Sequence, residues 1–259
     1  MIAKISLSLI KKHLPSLLTL IFLLLLWQWL VDILKIPGYI LPSPLEIISE
    51  IIQKKQYLIR HSLITLIEIL TGFALGMLIA FIISLGILYS KIMEKVIYPL
   101  LIFTQVTPKI AIAPLFLIWF GYGLLPKIVV TALVAFFPII INTVKGLKSI
   151  DMELADLMYS LSATKRQILN KIRIPSSLPY VFAGLKVSIS LSVIGAIVGE
   201  FVGADRGLGY IIMISNANLE TAQVFACLII LSIMGVGLFL AICLIESLYS
   251  WQKSAEFII

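Results

Sequence analysis

The sequence predicts an all-α membrane protein of about six transmembrane helices. Mean hydropathy is +1.12, 61% of the residues are hydrophobic and 13% are charged, against about 25% charged in soluble domains. The apolar residues fall in runs at 14–34, 62–88, 96–120, 124–144, 178–202 and 224–247, each near the ~20 residues that cross a bilayer as a helix. Basic residues concentrate beside these runs: Lys4, Lys11 and Lys12, then Lys91 and Lys95, then Lys145, Lys148, Lys165, Arg166, Lys171 and Arg173. Alternating spans put all of these on one side, which the positive-inside rule makes the cytoplasm, with both termini there as well. Lys35, Lys54, Lys55 and Arg60 oppose that bias weakly. The net charge of +7 thus reports topology and not a nucleic-acid surface.

The organisation that follows is an N-terminal span with an outer segment (1–61), a core (62–248) carrying a polar loop at 149–177, and a tail (249–259). The first run continues through Trp27, Gln28 and Trp29 without a small-x-small cleavage site, so it reads as a span and not a removed signal. Ser43, Pro44 and Glu46 then form a helix start of N-cap, first-turn proline and capping-box acid, and Leu45, Ile48 and Ile52 share one face. That segment is either an interfacial helix or a plain connector. Gly72 and Gly76 give the second span the small-x-x-x-small spacing of close helix packing.

Pro108 and Pro114 interrupt the third span and Pro138 the fourth. Broken helices mark a solute path when their freed backbone groups line a cavity, and are otherwise simple kinks. The fifth span ends at Glu200, before a glycine-rich turn from Gly203 to Tyr210. No strand precedes that turn and no Gly-Lys-Ser/Thr follows, so it is not a phosphate loop, and nucleotide chemistry must come from another chain. Cys227 and Cys243 share the last span, about 24 Å apart along a helix and too far to bridge. His13 and His61 are isolated, and no residue has the pattern of a catalytic or metal site.

The polar loop carries two helix patterns. Leu154, Leu157, Met158 and Leu161 fall at i, i+3, i+4 and i+7, with Asp151, Glu153, Asp156 and Ser160 on the other side. Thr164 and Gln167 then have capping-box spacing, with Ile168, Leu169 and Ile172 on one face until Pro175 forbids continuation. The loop reads as helix, turn, helix between two spans.

This loop resembles the cytoplasmic "EAA" loop of ATP-binding-cassette (ABC) importer permeases: Asp156-Leu157-Met158, three residues, Ser162, nine residues, then Ile172-Arg173-Ile174-Pro175. The spacing is the family's, although Glu has become Asp, both Ala are larger, Gly is Ser and Leu is Ile. Leu41-Pro42-Ser43-Pro44, Pro108-Lys109-Ile110-Ala111, Trp119 to Gly123, Phe136-Phe137-Pro138 with Asn142-Thr143, and Gly199-Glu200-Phe201 with Gly207 to Tyr210 resemble the nitrate/sulfonate/taurine branch. The resemblance implies the type I importer permease fold and a plasma (inner) membrane permease of a prokaryote, not an enzyme. Its implied partners are two ABC ATPase subunits that hold the ATP and Mg, a second permease copy, the lipid bilayer and an extracytoplasmic substrate-binding protein. Leu154, Asp156, Leu157, Met158, Leu161, Ser162, Ile174 and Pro175 become the residues that couple to the ATPase. The branch carries small anions and also aromatic vitamin precursors.

Ionisable groups within spans cost about 2.5–3.5 kcal/mol at a helix centre, so Glu68, Lys109, Lys186, Glu200 and Glu246 face an interior or a partner. Lys109 paired with Glu200 would form a gate or an anion-attracting vestibule, or else an ion pair that only orients two helices. Glu246 is placed at the membrane interface. Gln105, Thr107 and Asn142 are the polar side chains that would meet a solute. A self-contained proton-coupled secondary transporter is the competing reading, using the buried carboxylates.

Overall fold

The computed structural model describes residues 2–106, 108–150 and 152–249. Every regular element among the described residues is helical: α1 (Ile2–Leu34), α2 (Pro44–Gln53), α3 (Lys55–Tyr89), α4 (Lys91–Val106), α5 (Lys109–Phe120), α6 (Leu124–Lys148), α7 (Met152–Ser160), α8 (Lys165–Ile168), a π turn (Leu169–Arg173), α9 (Ile174–Gly203), α10 (Leu208–Ala217) and α11 (Thr221–Leu248). Four stretches are long and apolar enough to cross a membrane: Lys55–Tyr89, Leu124–Lys148, Lys165–Gly203 and Thr221–Leu248. Shorter apolar helices lie at Leu18–Leu34 and Ile110–Phe120. The run at 96–120, expected as one interrupted span, is two helices that part before Pro108, while Pro114 sits inside α5.

The chain divides into two compact units, Met1–Arg60 with Ile211–Ile229, and His61–Tyr210 with Ile230–Ile259. In the first, Ser43 Oγ accepts from the Glu46 amide and the Glu46 carboxylate accepts from the Ser43 amide at 2.8 Å, so the expected capping box starts α2. Leu45, Ile48 and Ile52, which share a face, are all exposed, and Ile47 is buried. Lys54 lies 2.6 Å from Glu50 and donates to Gln223 at 2.8 Å, with Glu220 at 3.7 Å. Burial opposes the Lys54 charge, but the Glu50 and Glu220 carboxylates outweigh it and hold the ammonium above its ordinary 10.5.

In the second unit α6 and α9 pack closest, because glycines remove the side chains that would separate them. A Cβ at Gly184 would stand 2.9 Å from Pro138 O, and one at Gly199 3.0 Å from the Lys127 Cα. Ser188 Oγ donates across the pair to Ala135 O at 2.7 Å, a hydrogen bond of the kind that joins helices in lipid. Gly72 and Gly76 of α3 meet α6 in the same way: a Cβ at Gly76 would stand 2.6 Å from Ala132 O. The small-residue spacing is thus a packing device.

Candidate functional site

Three arrangements in the second unit bear on function. The first is the elbow between α6 and α9. Leu154, Leu157 and Leu161 are 44%, 56% and 68% exposed, an apolar stripe turned away from the rest of the unit, with Tyr159 and Asp156 exposed beside it. Met158 departs from the expected stripe. It packs inward on the buried Ile150 and Ile172, because the side of α7 nearest the α6 and α9 ends also needs an apolar residue.

The stripe ends in a tight turn with Schellman geometry: the Ala163 amide donates to Met158 O at 3.0 Å and the Ser162 amide to Tyr159 O at 2.9 Å. Ser162 stands in the left-handed region, φ 58°, where the familial glycine would carry no Cβ penalty. Ser162→Gly is expected to relieve about 1 kcal/mol of strain, partly offset by added freedom in the unfolded chain. Amide exchange at 158–164 should slow up to about fivefold; unchanged or faster exchange would count against strain at this turn.

The Thr164/Gln167 capping box forms as read, with the Thr164 amide donating to Gln167 Oε1 at 2.7 Å. Pro175, however, does not stop the helix. The chain passes from α8 through the π turn into α9 without a break, with Pro175 at the start of α9. An unbroken α-helix would press the proline ring onto the carbonyl four residues back. The wider π turn shifts bonding by one residue there, the Ile174 amide reaching Leu169 O. Ile174 is exposed and Pro175 half-buried. Arg173 Nη1 donates to Leu147 O at 2.8 Å, joining the start of α9 to the end of α6.

The second arrangement is a groove of about 660 Å³ among α5, α6 and α9, lined by Ile110, Val134, Phe137, Asn142, Leu191 and Ile194 among others. Asn142 is the polar side chain among these described lining residues, and its Nδ2 donates to Pro138 O at 2.8 Å. Thr107 and the side chains of Gln105 and Lys109 lie outside the described residues and side chains, as does Asp151.

The third is a buried polar cluster near the other end of α9. Both oxygens of Glu200, expected to face Lys109, are engaged elsewhere: Thr65 Oγ1 donates to Oε1 at 2.6 Å and the Gly209 amide donates to Oε2. Thr65 in turn accepts from the Leu208 amide at 2.9 Å, and the Gly207 amide reaches His61 Nδ1 at 3.0 Å. The glycine-rich turn is thereby fastened to α3 and α9. Gly207 has φ 115°, and a Cβ there would stand 2.1 Å from Glu200 Oε1. Beside it lies an ion pair that the sequence reading missed, Lys127 Nζ to Glu68 Oε1 at 2.7 Å, with Lys127 4% and Glu68 0% exposed. Lys127 lies in the first turn of α6. The signal that could have found it is an ammonium already inside the apolar run. Glu246 pairs with Lys186 of α9, both partly buried, the kind of partner expected of ionisable groups on spans.

Against known proteins, the profile of the family described as "Binding-protein-dependent transport system inner membrane component" matches residues 72–251. The chain is 40% identical over 238 residues to the formylaminopyrimidine transport permease protein ThiX of Halalkalibacterium halodurans, covering 91% of this chain and 95% of that protein. It is 36% identical to the riboflavin transport system permease protein RibX of Chloroflexus aurantiacus, covering 91% of this chain and 89% of that protein. It is 31% identical to the putative aliphatic sulfonates transport permease protein SsuC of Bacillus subtilis, covering 89% and 85%.

Proposed function

Because the chain belongs to the family of binding-protein-dependent transport system inner membrane components, and is therefore the multi-pass permease subunit of an ABC importer, we propose that it passes a flat, weakly charged heteroaromatic solute along the groove of α5, α6 and α9. The observation that carries this is the groove lining: aliphatic and aromatic side chains with one amide, Asn142. An anion moved along such a wall would leave water without a compensating cation or donors, at a cost of several kcal/mol. A ring system presents an apolar face to Phe137 and Leu191 and an edge to the amide. The names of ThiX and RibX, a formylaminopyrimidine and a flavin, point the same way; the sulfonates of SsuC point to the anion.

In this reading two copies of the chain enclose the path, two ATPase subunits holding ATP and Mg bind the paired elbows, and a binding protein delivers solute at the opposite face. The elbow and both termini then lie in the cytoplasm, as the basic loops indicate. Leu154, Leu157 and Leu161 form the docking stripe, with Met158, Ser162, Ile174 and Pro175 shaping its support and Asp156 flanking it. ATP is hydrolysed by the partner, and this chain supplies the path and the lever. Uptake by the assembled importer in vesicles tests the solute: labelled formylaminopyrimidine should be taken up with ATP and not displaced by excess ethanesulfonate. Uptake of labelled ethanesulfonate in preference to the pyrimidine would overturn the assignment.

A further inference from the structure

Two contacts between the elbow and the membrane helices, among the described residues, differ in kind. Met158 packs on Ile150, just past the end of α6, and on Ile172, in the π turn that opens into α9. That contact is apolar and can slide. The second is directional: Arg173 Nη1 on Leu147 O, 2.8 Å, a cationic fork holding a carbonyl in the last turn of α6. The one extra residue of the π turn rotates the following helix by about 100° relative to an unbroken α-helix. The Arg173 contact follows at the end of that turn.

We propose that Arg173 is a positioning residue of transport, pinning the ends of α6 and α9 to one another so that a push on α7 moves both walls of the groove together. The inference rests on the docking role given to the α7 stripe. Without the pin, the ends of α6 and α9 are held by packing alone, Met158 on Ile150 and Ile172 and Gly146 against Ser177 and Tyr180, so nucleotide turnover continues while the groove responds poorly. Arg173 lies off the Leu154, Leu157 and Leu161 stripe and its guanidinium is turned to Leu147 O, so hydrolysis is expected to survive its loss.

The test uses the full importer with Cys227 and Cys243 replaced by alanine and the groove residue Val187 replaced by cysteine. The rate of maleimide labelling at position 187 is read with and without ATP and vanadate, next to ATP hydrolysis. In Arg173→Met the nucleotide-dependent change in labelling should fall about tenfold, with hydrolysis retained. Arg173→Lys, which keeps a charged donor without the planar fork, should restore most of it. Arg173→Gln keeps a neutral donor for the same carbonyl and should fall between, which preserves the test if the methionine variant does not assemble. A full labelling response in Arg173→Met would overturn the proposal, as would loss of hydrolysis and labelling in equal proportion in the Met and Gln variants. An unaltered chain that stimulates no ATPase would overturn the docking role beneath it.

Discussion

Lys127→Met is expected to destabilise the permease by about 3–5 kcal/mol, the cost of leaving one member of a buried ion pair without its partner. Lys127 and Glu68 are almost fully removed from solvent, and their contact is 2.7 Å. Glu200 lies beside Glu68, so removing the ammonium leaves two neighbouring carboxyl groups without the Lys127 cation. Lys127 Nζ is the cation that Glu68 Oε1 meets, and Glu200 is another ionisable group at this site. Removing both charges is a different experiment. Glu68→Leu with Lys127→Met replaces the pair by apolar side chains of similar reach, and such replacements are often neutral or stabilising. The double variant should recover most of the loss when unfolding is followed in detergent. A single variant as stable as the parent, or a double variant no better than the single, would show that the pair does not hold this end of the bundle.

Leu157→Asp should abolish stimulation of the ATPase while leaving the permease folded and inserted. Leu157 is 56% exposed, so within the chain the change costs little. At an apolar docking face it would bury an unpaired carboxylate, at a cost of several kcal/mol. A penalty of about 3 kcal/mol already weakens binding more than 100-fold. Co-purification with the ATPase and hydrolysis by the complex measure it, and full stimulation by the variant would remove Leu157 from the interface. Met158→Asp is the informative contrast. Its side chain packs inward on Ile150 and Ile172, so that variant should damage the fold of the elbow itself.

What was legible in the sequence was local. Both capping boxes are patterns three residues apart, Ser43 with Glu46 and Thr164 with Gln167, and both form. Gly72 and Gly76 are a four-residue pattern whose partner helix did not need to be known. The errors arose where a partner or a phase mattered. Met158 shares the spacing of the leucines, but only the positions of Ile150 and Ile172 decide that it turns inward. The rule that makes Pro175 a stop assumes α-helical bonding, and five residues of π geometry escape it. Lys127 and Glu68 are 59 positions apart, a separation that no local pattern reports, and Glu200 finds Thr65 across 135.

The helical run from Lys165 to Gly203 is 39 residues long, a bar of about 58 Å at 1.5 Å per residue. One tip carries the Thr164 cap and the other the Glu200 grip on Gly209. The π turn and Pro175 make a joint near the first tip, and beyond it the bar behaves like an oar in its rowlock: the blade sweeps when the handle is pulled. Each stroke that shuts one mouth of the passage should thus tug on the fastening of the opposite mouth, with no messenger between them.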